Sequence, residues 1–203
     1  MKIIAAGRNY PKHARELNNP VPAEPVIFLK PDTALLRDNQ DFYLPEFSQD
    51  IHHEIEVVVR ISKEGKHVSR KFASNYVDAV GLGIDFTARD LQQRLKEQGL
   101  PWERAKAFDH SAPVSQLHPL SSLEAAGTLD FHLDINGKRI QEGNTSQMLF
   151  SIAELICFIS SYITLRKGDL IFTGTPAGVG KVSIDDHLEG YLEGKKLLDF
   201  HIK

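Results

Sequence analysis

The segment that most constrains the fold is His53-Glu-Ile-Glu-Val-Val-Val-Arg-Ile61. Ile55, Val57, Val59 and Ile61 fall on one side of an extended chain, and Glu54, Glu56, Val58 and Arg60 on the other. A two-residue period of this kind predicts a half-buried β-strand over 53–61. The same period places the Glu54 and Glu56 carboxylates on one face. Neighbouring anions repel unless solvent screens them or a cation lies between them. One reading is therefore an ordinary solvent-exposed strand face. The other follows from the three valines after Glu56: a strand so apolar is buried, and a buried carboxylate pair needs a metal ion or a shared proton.

A third acid, Asp85, stands in Gly83-Ile-Asp-Phe-Thr-Ala88, where a strand runs into a helix. Locally it reads either as a turn or helix-capping aspartate or as a further carboxylate ligand. Three carboxylates from separate elements suit a hard cation, Mg²⁺ or Mn²⁺, which prefers oxygen donors. The chain has one cysteine and no HExxH, so zinc has little support. His13 and Glu16 are spaced to share a helix face, where the carboxylate can orient the imidazole; a surface helical pair is the alternative. His52 and His53 precede the glutamates without an assigned role. The loop Thr173-Gly-Thr-Pro-Ala-Gly-Val-Gly180 fails the phosphate-loop pattern, because Lys181 is followed by Val182. Its amides and the Thr175 hydroxyl could still face an anion.

Around these residues the chain is strand-rich. Lys2–Ala6 and Val26–Lys30 read as strands flanking a short helix over His13–Leu17, with Pro20, Pro22 and Pro25 forcing a loop. Tyr76–Phe86 reads as a largely buried strand or strand plus turn, and Ala88–Gln98 as a helix stopped by Gly99-Leu-Pro101. Leu129–Ile140 alternates about Asn136-Gly137, the strongest short hairpin signal. Ser151 with Glu154 forms a capping-box pattern. Leu170–Thr173 reads as a strand, and from about Asp186 paired strands are expected with Gly190 and Gly194 at turns. The expectation is one α+β domain spanning 1–203, since 203 residues suffice for one sizeable core and not for two.

Composition excludes several classes. A formal charge of −3, with basic residues scattered among acids, leaves no stripe for nucleic acid. The single Cys157 precludes an intramolecular disulfide and fits a reducing compartment. The apolar run near the N-terminus is too short for a signal peptide. The most apolar stretch, Ile152 to Ile163, is well short of the roughly 20 residues that span a bilayer. A cytoplasmic protein with no membrane partner is expected.

Several landmarks occur in a specific order. They are Gly7-Arg-Asn-Tyr10 with His13 and Glu16, Pro25-Val-Ile-Phe-Leu-Lys-Pro31, His53-Glu-Ile-Glu56 and Asp85-Phe-Thr-Ala-Arg-Asp-Leu-Gln92. Gly99-Leu-Pro-Trp-Glu-Arg-Ala-Lys106, Asn136-Gly137, Gln141-Glu-Gly-Asn-Thr145 and the Thr173–Gly180 loop complete the series. In this order they resemble the fumarylacetoacetate hydrolase family, and within it the short branch of acylpyruvate hydrolases and oxaloacetate decarboxylases. The resemblance implies a mixed β-roll with a few short helices, a homodimer, and a lid-bearing segment within residues 1–20. It implies Glu54, Glu56 and Asp85 as ligands of Mg²⁺ or Mn²⁺, and His13 with Glu16 as the pair that activates water. It implies Lys106 as a pocket lysine, Arg89 and Gln92 as polar residues near metal and substrate, and Thr175 near the substrate's anionic end. No acid precedes Glu16, so the acidic ligand that larger relatives add from their N-terminal half has no counterpart in the residues given.

The activity so implied is hydrolysis of acylpyruvates, decarboxylation of oxaloacetate, or both. Isomerisation or decarboxylation of a 2-hydroxymuconate-type aromatic catabolite is the alternative within the family, with 2-hydroxyhepta-2,4-diene-1,7-dioate isomerase as the type. A metal-binding fold without catalysis is the alternative outside enzymology, and the full set of matching ligands argues against it.

Overall fold

The computed structural model describes residues 1–17, 20–120 and 127–203. Its central sheet has six strands, in the order Val26–Lys30, Ile3–Gly7, Leu170–Phe172, Ile55–Ile61, Val77–Ile84 and His118–Pro119. Ile3–Gly7 runs parallel to Leu170–Phe172 and every other neighbour in this sheet is antiparallel, so the sheet is mixed. A four-stranded antiparallel sheet, in the order Lys138–Asn144, Asp130–Ile135, His187–Leu192 and Lys195–His201, packs beside it. A small third sheet joins Ile51–His53 to Thr87–Ala88 and Gly180–Lys181. The helices are short: Pro11–Glu16, Arg89–Glu97, Glu103–Lys106 and Ile152–Tyr162. This is the strand-rich, mixed α+β architecture the sequence predicts.

The alternation about Glu56 holds, with two corrections. Ile55, Val57, Val59 and Ile61 join the large core with Val80, Leu82 and the Ile152–Tyr162 helix. Val58 instead enters a second core with Ile3, Ala5, Phe172 and Val114. The strand is thus buried on both faces rather than half-buried, and only Arg60 reaches partial exposure. It is also shorter than expected: Ile51–His53 pairs in the third sheet, and Glu54 is the junction where the chain passes between sheets. The Asp85 amide donates to the Glu54 carbonyl at 2.8 Å across this junction, so the two acids are tied by backbone as well as by side chain.

The local signals mostly act as expected. Pro11 occupies the first turn of its helix, where no amide hydrogen is needed, so the helix starts before His13 and spans Pro11–Glu16. Asn136-Gly137 turns the Asp130–Asn144 hairpin with positive φ at both residues. The Ser151 hydroxyl accepts from the Glu154 amide at 3.3 Å, while Glu154 Oε2 accepts from the Ser151 amide at 2.9 Å. Gly194 makes the final turn with Glu193, both at positive φ. Gly190 does not turn the chain. It lies inside the His187–Leu192 strand at a register shift, where a Cβ would come within 3.0 Å of Leu198 and 3.3 Å of Ile55. That glycine marks close packing, a demand that a turn-forming residue does not reveal in sequence.

Candidate active site

The site grows from the junction between sheets. Glu54 at the junction and Glu56 on the central strand face Asp85, which follows the end of the antiparallel neighbour Val77–Ile84. The three are 5%, 2% and 1% exposed, and one carboxylate oxygen from each lies within 4.8 Å of the others. Asp85 does not cap the next helix; the residue before that helix is Ala88, whose side chain makes no cap.

Three basic side chains meet two of these acids. Lys106 Nζ donates to Glu54 Oε2 at 2.8 Å and to Asp85 Oδ2 at 2.6 Å. Lys30 Nζ lies 2.7 Å from Asp85 Oδ1 and donates to the Ser111 carbonyl at 2.9 Å and hydroxyl at 3.0 Å. Both Asp85 oxygens thus face a buried ammonium. Arg89 bonds Glu54 Oε1 through Nη2 and Gln92 Oε1 through Nη1, the latter at 2.7 Å.

Glu56 is different. Among the described residues no lysine or arginine pairs with it; the Gly174 amide donates to Oε2 at 2.6 Å. Burial first, and then the neighbouring Asp85 charge, push its pKa well above the carboxylate range. Burial works against the Glu54 carboxylate as well, but Lys106 and Arg89 reverse the balance and hold it below that range. Burial disfavours the Lys106 ammonium, yet Asp85 and Glu54 outweigh this and raise its pKa. For Lys30 burial wins, and its pKa falls.

The donor set is all oxygen, buried, and short of positive charge at Glu56. Such a set fits a hard divalent cation and leaves soft metals without their preferred ligands. Glu54, Glu56 and Asp85 would hold it.

The Glu56 contact depends on Gly174. Its φ is +104°, and a Cβ there would lie 2.6 Å from the Asn9 Cβ. Asn9 fixes this corner: its amide donates to the Thr173 carbonyl at 2.8 Å and the Phe150 carbonyl at 2.9 Å, and its oxygen accepts from the Phe150 amide. Farther along the same loop, the Gly178 amide donates to Glu16 Oε1 at 2.9 Å. Glu16 Oε2 is 3.2 Å from His13 Nδ1, and His13 is buried. The loop that carries Gly174 under Glu56 therefore also holds Glu16, which holds His13.

A cavity of about 100 Å³ opens above this floor, lined by His13, Glu54, Arg89, Gln92 and Lys106 together with Phe28, Trp102 and neighbours. The structure thus brings together eight of the nine residues singled out in the sequence, around this cavity or directly beneath it. Thr175 is the ninth. It is buried in the loop wall, where its hydroxyl accepts from Gln141 Nε2 at 2.9 Å, and it does not line this cavity. Gln141 uses its oxygen for His53 Nδ1 at 2.8 Å and the Ile55 amide at 3.1 Å, so it braces the junction from behind. His53 is accounted for by that contact, and His52 by Asp50 at 3.0 Å. Neither histidine bonds to the glutamate pair.

Sequence reasoning missed Lys30, Asn9 and Gln141. All three stand inside quoted landmarks, and only Lys30 carried a local signal: Val26, Phe28 and Lys30 share one strand face, so the lysine points where a cavity-lining phenylalanine points.

A buried three-carboxylate centre, served across a cavity by a histidine–glutamate pair, defines a protein built to hold a hard divalent cation over a small substrate. The family described as fumarylacetoacetate (FAA) hydrolase C-terminal matches residues 2–202. The chain is 41% identical over 201 residues to the mitochondrial oxaloacetate tautomerase FAHD1 of Mus musculus, covering 99% of this chain and 91% of that protein. It is 43% identical over 182 residues to the mitochondrial oxaloacetate decarboxylase of Dictyostelium discoideum, covering 89% and 84%. Its structure superposes on fumarylpyruvate hydrolase from Pseudomonas aeruginosa, solved in complex with Mn²⁺ and pyruvate, with a TM-score of 0.94 at 35% identity, covering 100% of this chain and 89% of that one. The chain belongs to the fumarylacetoacetate hydrolase family.

Proposed function

We propose that the protein is a Mg²⁺- or Mn²⁺-dependent enzyme that cleaves the carbon–carbon bond beside a ketone in small oxo acids, as an acylpyruvate hydrolase, an oxaloacetate decarboxylase or both. The observation that carries this reading is the buried Glu54–Glu56–Asp85 centre lying against the same cavity as His13 and Glu16. When bound, the cation supplies Lewis-acid polarisation of the substrate's carboxylate and adjacent ketone. The chain's own residues do the rest. Glu16, anchored by the Gly178 amide, holds His13 through Nδ1 and leaves Nε2 as the ring's proton acceptor. For an acylpyruvate, His13 takes a proton from a water whose oxygen adds to the distal ketone. The bond between that carbon and the methylene breaks, releasing the carboxylic acid and pyruvate enol, which regains a proton at carbon. Lys106 offsets the negative charge that builds during cleavage. Arg89 positions the Glu54 carboxylate and Gln92. For oxaloacetate the same enol forms by loss of CO₂, without attacking water.

A second reading, isomerisation, draws support from the relative named as an oxaloacetate tautomerase. There His13 would carry a proton between carbon and the enol oxygen, and no water would be consumed. The proposal further includes a lid role for the segment bearing His13, a homodimer, a cytoplasmic location and no nucleic-acid partner. Among the described residues no helix is long and apolar enough to cross a membrane.

The test is turnover of acetylpyruvate and oxaloacetate by the purified protein with Mg²⁺, with Mn²⁺ and with excess EDTA. Metal-dependent consumption of either supports the proposal, and the products separate hydrolysis, decarboxylation and tautomerisation. No consumption of either, with metal bound, overturns it.

A further inference from the structure

Gln141 does not line the cavity, yet it joins the two elements that carry the floor and the catalytic pair. It lies on the edge strand Lys138–Asn144 and is 1% exposed. The strand is irregular there: Leu133 pairs with Gln141 and Asp134 with Arg139, which leaves Ile140 as the extra residue of a β-bulge. Bulges re-aim the side chains beside them. Gln141 Oε1 accepts from His53 Nδ1 at 2.8 Å and the Ile55 amide at 3.1 Å, the residues on either side of Glu54. Its Nε2 donates to the Thr175 hydroxyl at 2.9 Å and the Pro176 carbonyl at 3.0 Å, the two residues after Gly174. A backbone amide only donates and a carbonyl only accepts, so Ile55 and Pro176 fix which end of the side chain is oxygen. Both hydrogens and both acceptor sites of the side chain are used. The loop is also pressed onto this strand. A Cβ on Gly178 would lie 2.5 Å from the Ile140 carbonyl oxygen and 3.3 Å from Gln141 Cγ, and one on Gly143 would lie 3.1 Å from Pro176 Cβ.

We propose that Gln141 is a positioning residue: its amide clamps the Thr173–Gly180 loop to the chain that carries Glu54 and Glu56, and so sets where Glu16 and His13 stand over the carboxylate floor. It acts through two loop amides, Gly174 on Glu56 at 2.6 Å and Gly178 on Glu16 at 2.9 Å. Any slip of the loop moves both contacts together. A displacement of about 1 Å in a catalytic group can cost about a hundredfold in rate. The effect on turnover rests on the functional reading above; the clamp itself does not.

The experiment uses the Mn²⁺-loaded parent, Q141M and Q141E. It measures hydrogen–deuterium exchange by mass spectrometry, and acetylpyruvate hydrolysis per bound Mn²⁺. Methionine has similar length and no hydrogen to donate. In Q141M, segments 173–180 and 11–17 should exchange about tenfold faster or more, with segment 195–201 unchanged. The kcat per bound Mn²⁺ should fall about tenfold or more, and KM should change by less than about threefold. Q141E keeps an acceptor toward His53 and Ile55 but cannot donate to Pro176, so a smaller change in the same two segments is expected. A merely structural glutamine would speed exchange throughout and leave kcat per bound Mn²⁺ unaltered. Unchanged loop exchange in folded Q141M, or a kcat per bound Mn²⁺ within about twofold of the parent, would overturn the assignment. Circular dichroism checks folding; if Q141M does not fold, Q141E carries both measurements under the same criteria. A parent inert on acetylpyruvate and oxaloacetate overturns the functional reading, while loop exchange still decides the clamp.

Discussion

Two groups among the described residues bring three metal-ligating side chains within 4.8 Å of one another: Glu54, Glu56 and Asp85 inside, and His187, Glu189 and Asp199 on the last hairpin. By proximity alone they are equals. In the outer group His187 Nε2 bonds Asp199 Oδ1 at 2.6 Å, and Lys196 reaches Glu189 at 3.0 Å and Asp199 at 2.7 Å. Each acid there has the half-exposed Lys196 ammonium beside it, and 41% of the Asp199 side chain is exposed. In the inner group all three acids are buried, Glu56 has no lysine or arginine partner among the described residues, and the loop backbone holds it in place through Gly174. Burial, not clustering, calls for a cation: exposed acids are served by water and lysine at small energy, whereas a buried acid with no basic partner, as Glu56 is among the described residues, is not.

The largest expected effect tests that contrast directly. Glu54→Ala should lower metal-dependent turnover at least about a thousandfold, because Lewis-acid stabilisation is worth several kcal/mol. Asp199→Asn should leave turnover within about twofold, as a surface change away from the site does. Equal losses would erase the difference between the two groups.

Next is the pair across the cavity. His13→Ala should reduce acylpyruvate hydrolysis about 10²- to 10⁴-fold, the usual worth of a positioned base. Its metal affinity, read by calorimetry, should change little.

Lysines sharpen the comparison further. Lys30→Met removes a buried ammonium beside Asp85, and breaking a buried pair costs about 3–5 kcal/mol. Urea unfolding of the metal-free protein should show that loss. Lys196→Met, at the surface, should leave the unfolding midpoint unchanged.

The smallest effect concerns Glu154. The Ser151 hydroxyl and amide, then Arg70, hold its pKa below the ordinary carboxylate value. A depressed carboxylate pKa stabilises the fold above the unfolded pKa and loses that contribution as pH falls through the folded one. Glu154→Ala should therefore destabilise by about 1 kcal/mol or less at neutral pH, a cap-sized effect, and the gap from the parent should close below about pH 4.

What could be read in the sequence follows the range of the forces involved. Glu54 and Glu56 were legible because a two-residue period and three following valines fix both their common face and their burial. Asp85, His13 and Lys106 gained their roles through an ordered resemblance, since each has an ordinary local reading. Lys30 was overlooked because a lysine at a strand end normally reaches solvent, and only the packing of Ser111 and Asp85 around it keeps it inside. Gln141 joins His53 and Ile55 to Thr175 and Pro176 across long sequence separations that no local pattern encodes. Gly190 was misread because a glycine required by packing and one required by a turn look the same in a sequence.

On the proposed function, the buried carboxylate centre, and no other acidic cluster among the described residues, holds the catalytic cation. Titrating Mn²⁺ into the parent, Glu54→Ala and Asp199→Asn, with free Mn²⁺ counted by electron paramagnetic resonance, tests it most directly. One tight site is expected in the parent, kept in Asp199→Asn and lost in Glu54→Ala. Retention of that site in Glu54→Ala, or its loss in Asp199→Asn, would contradict it.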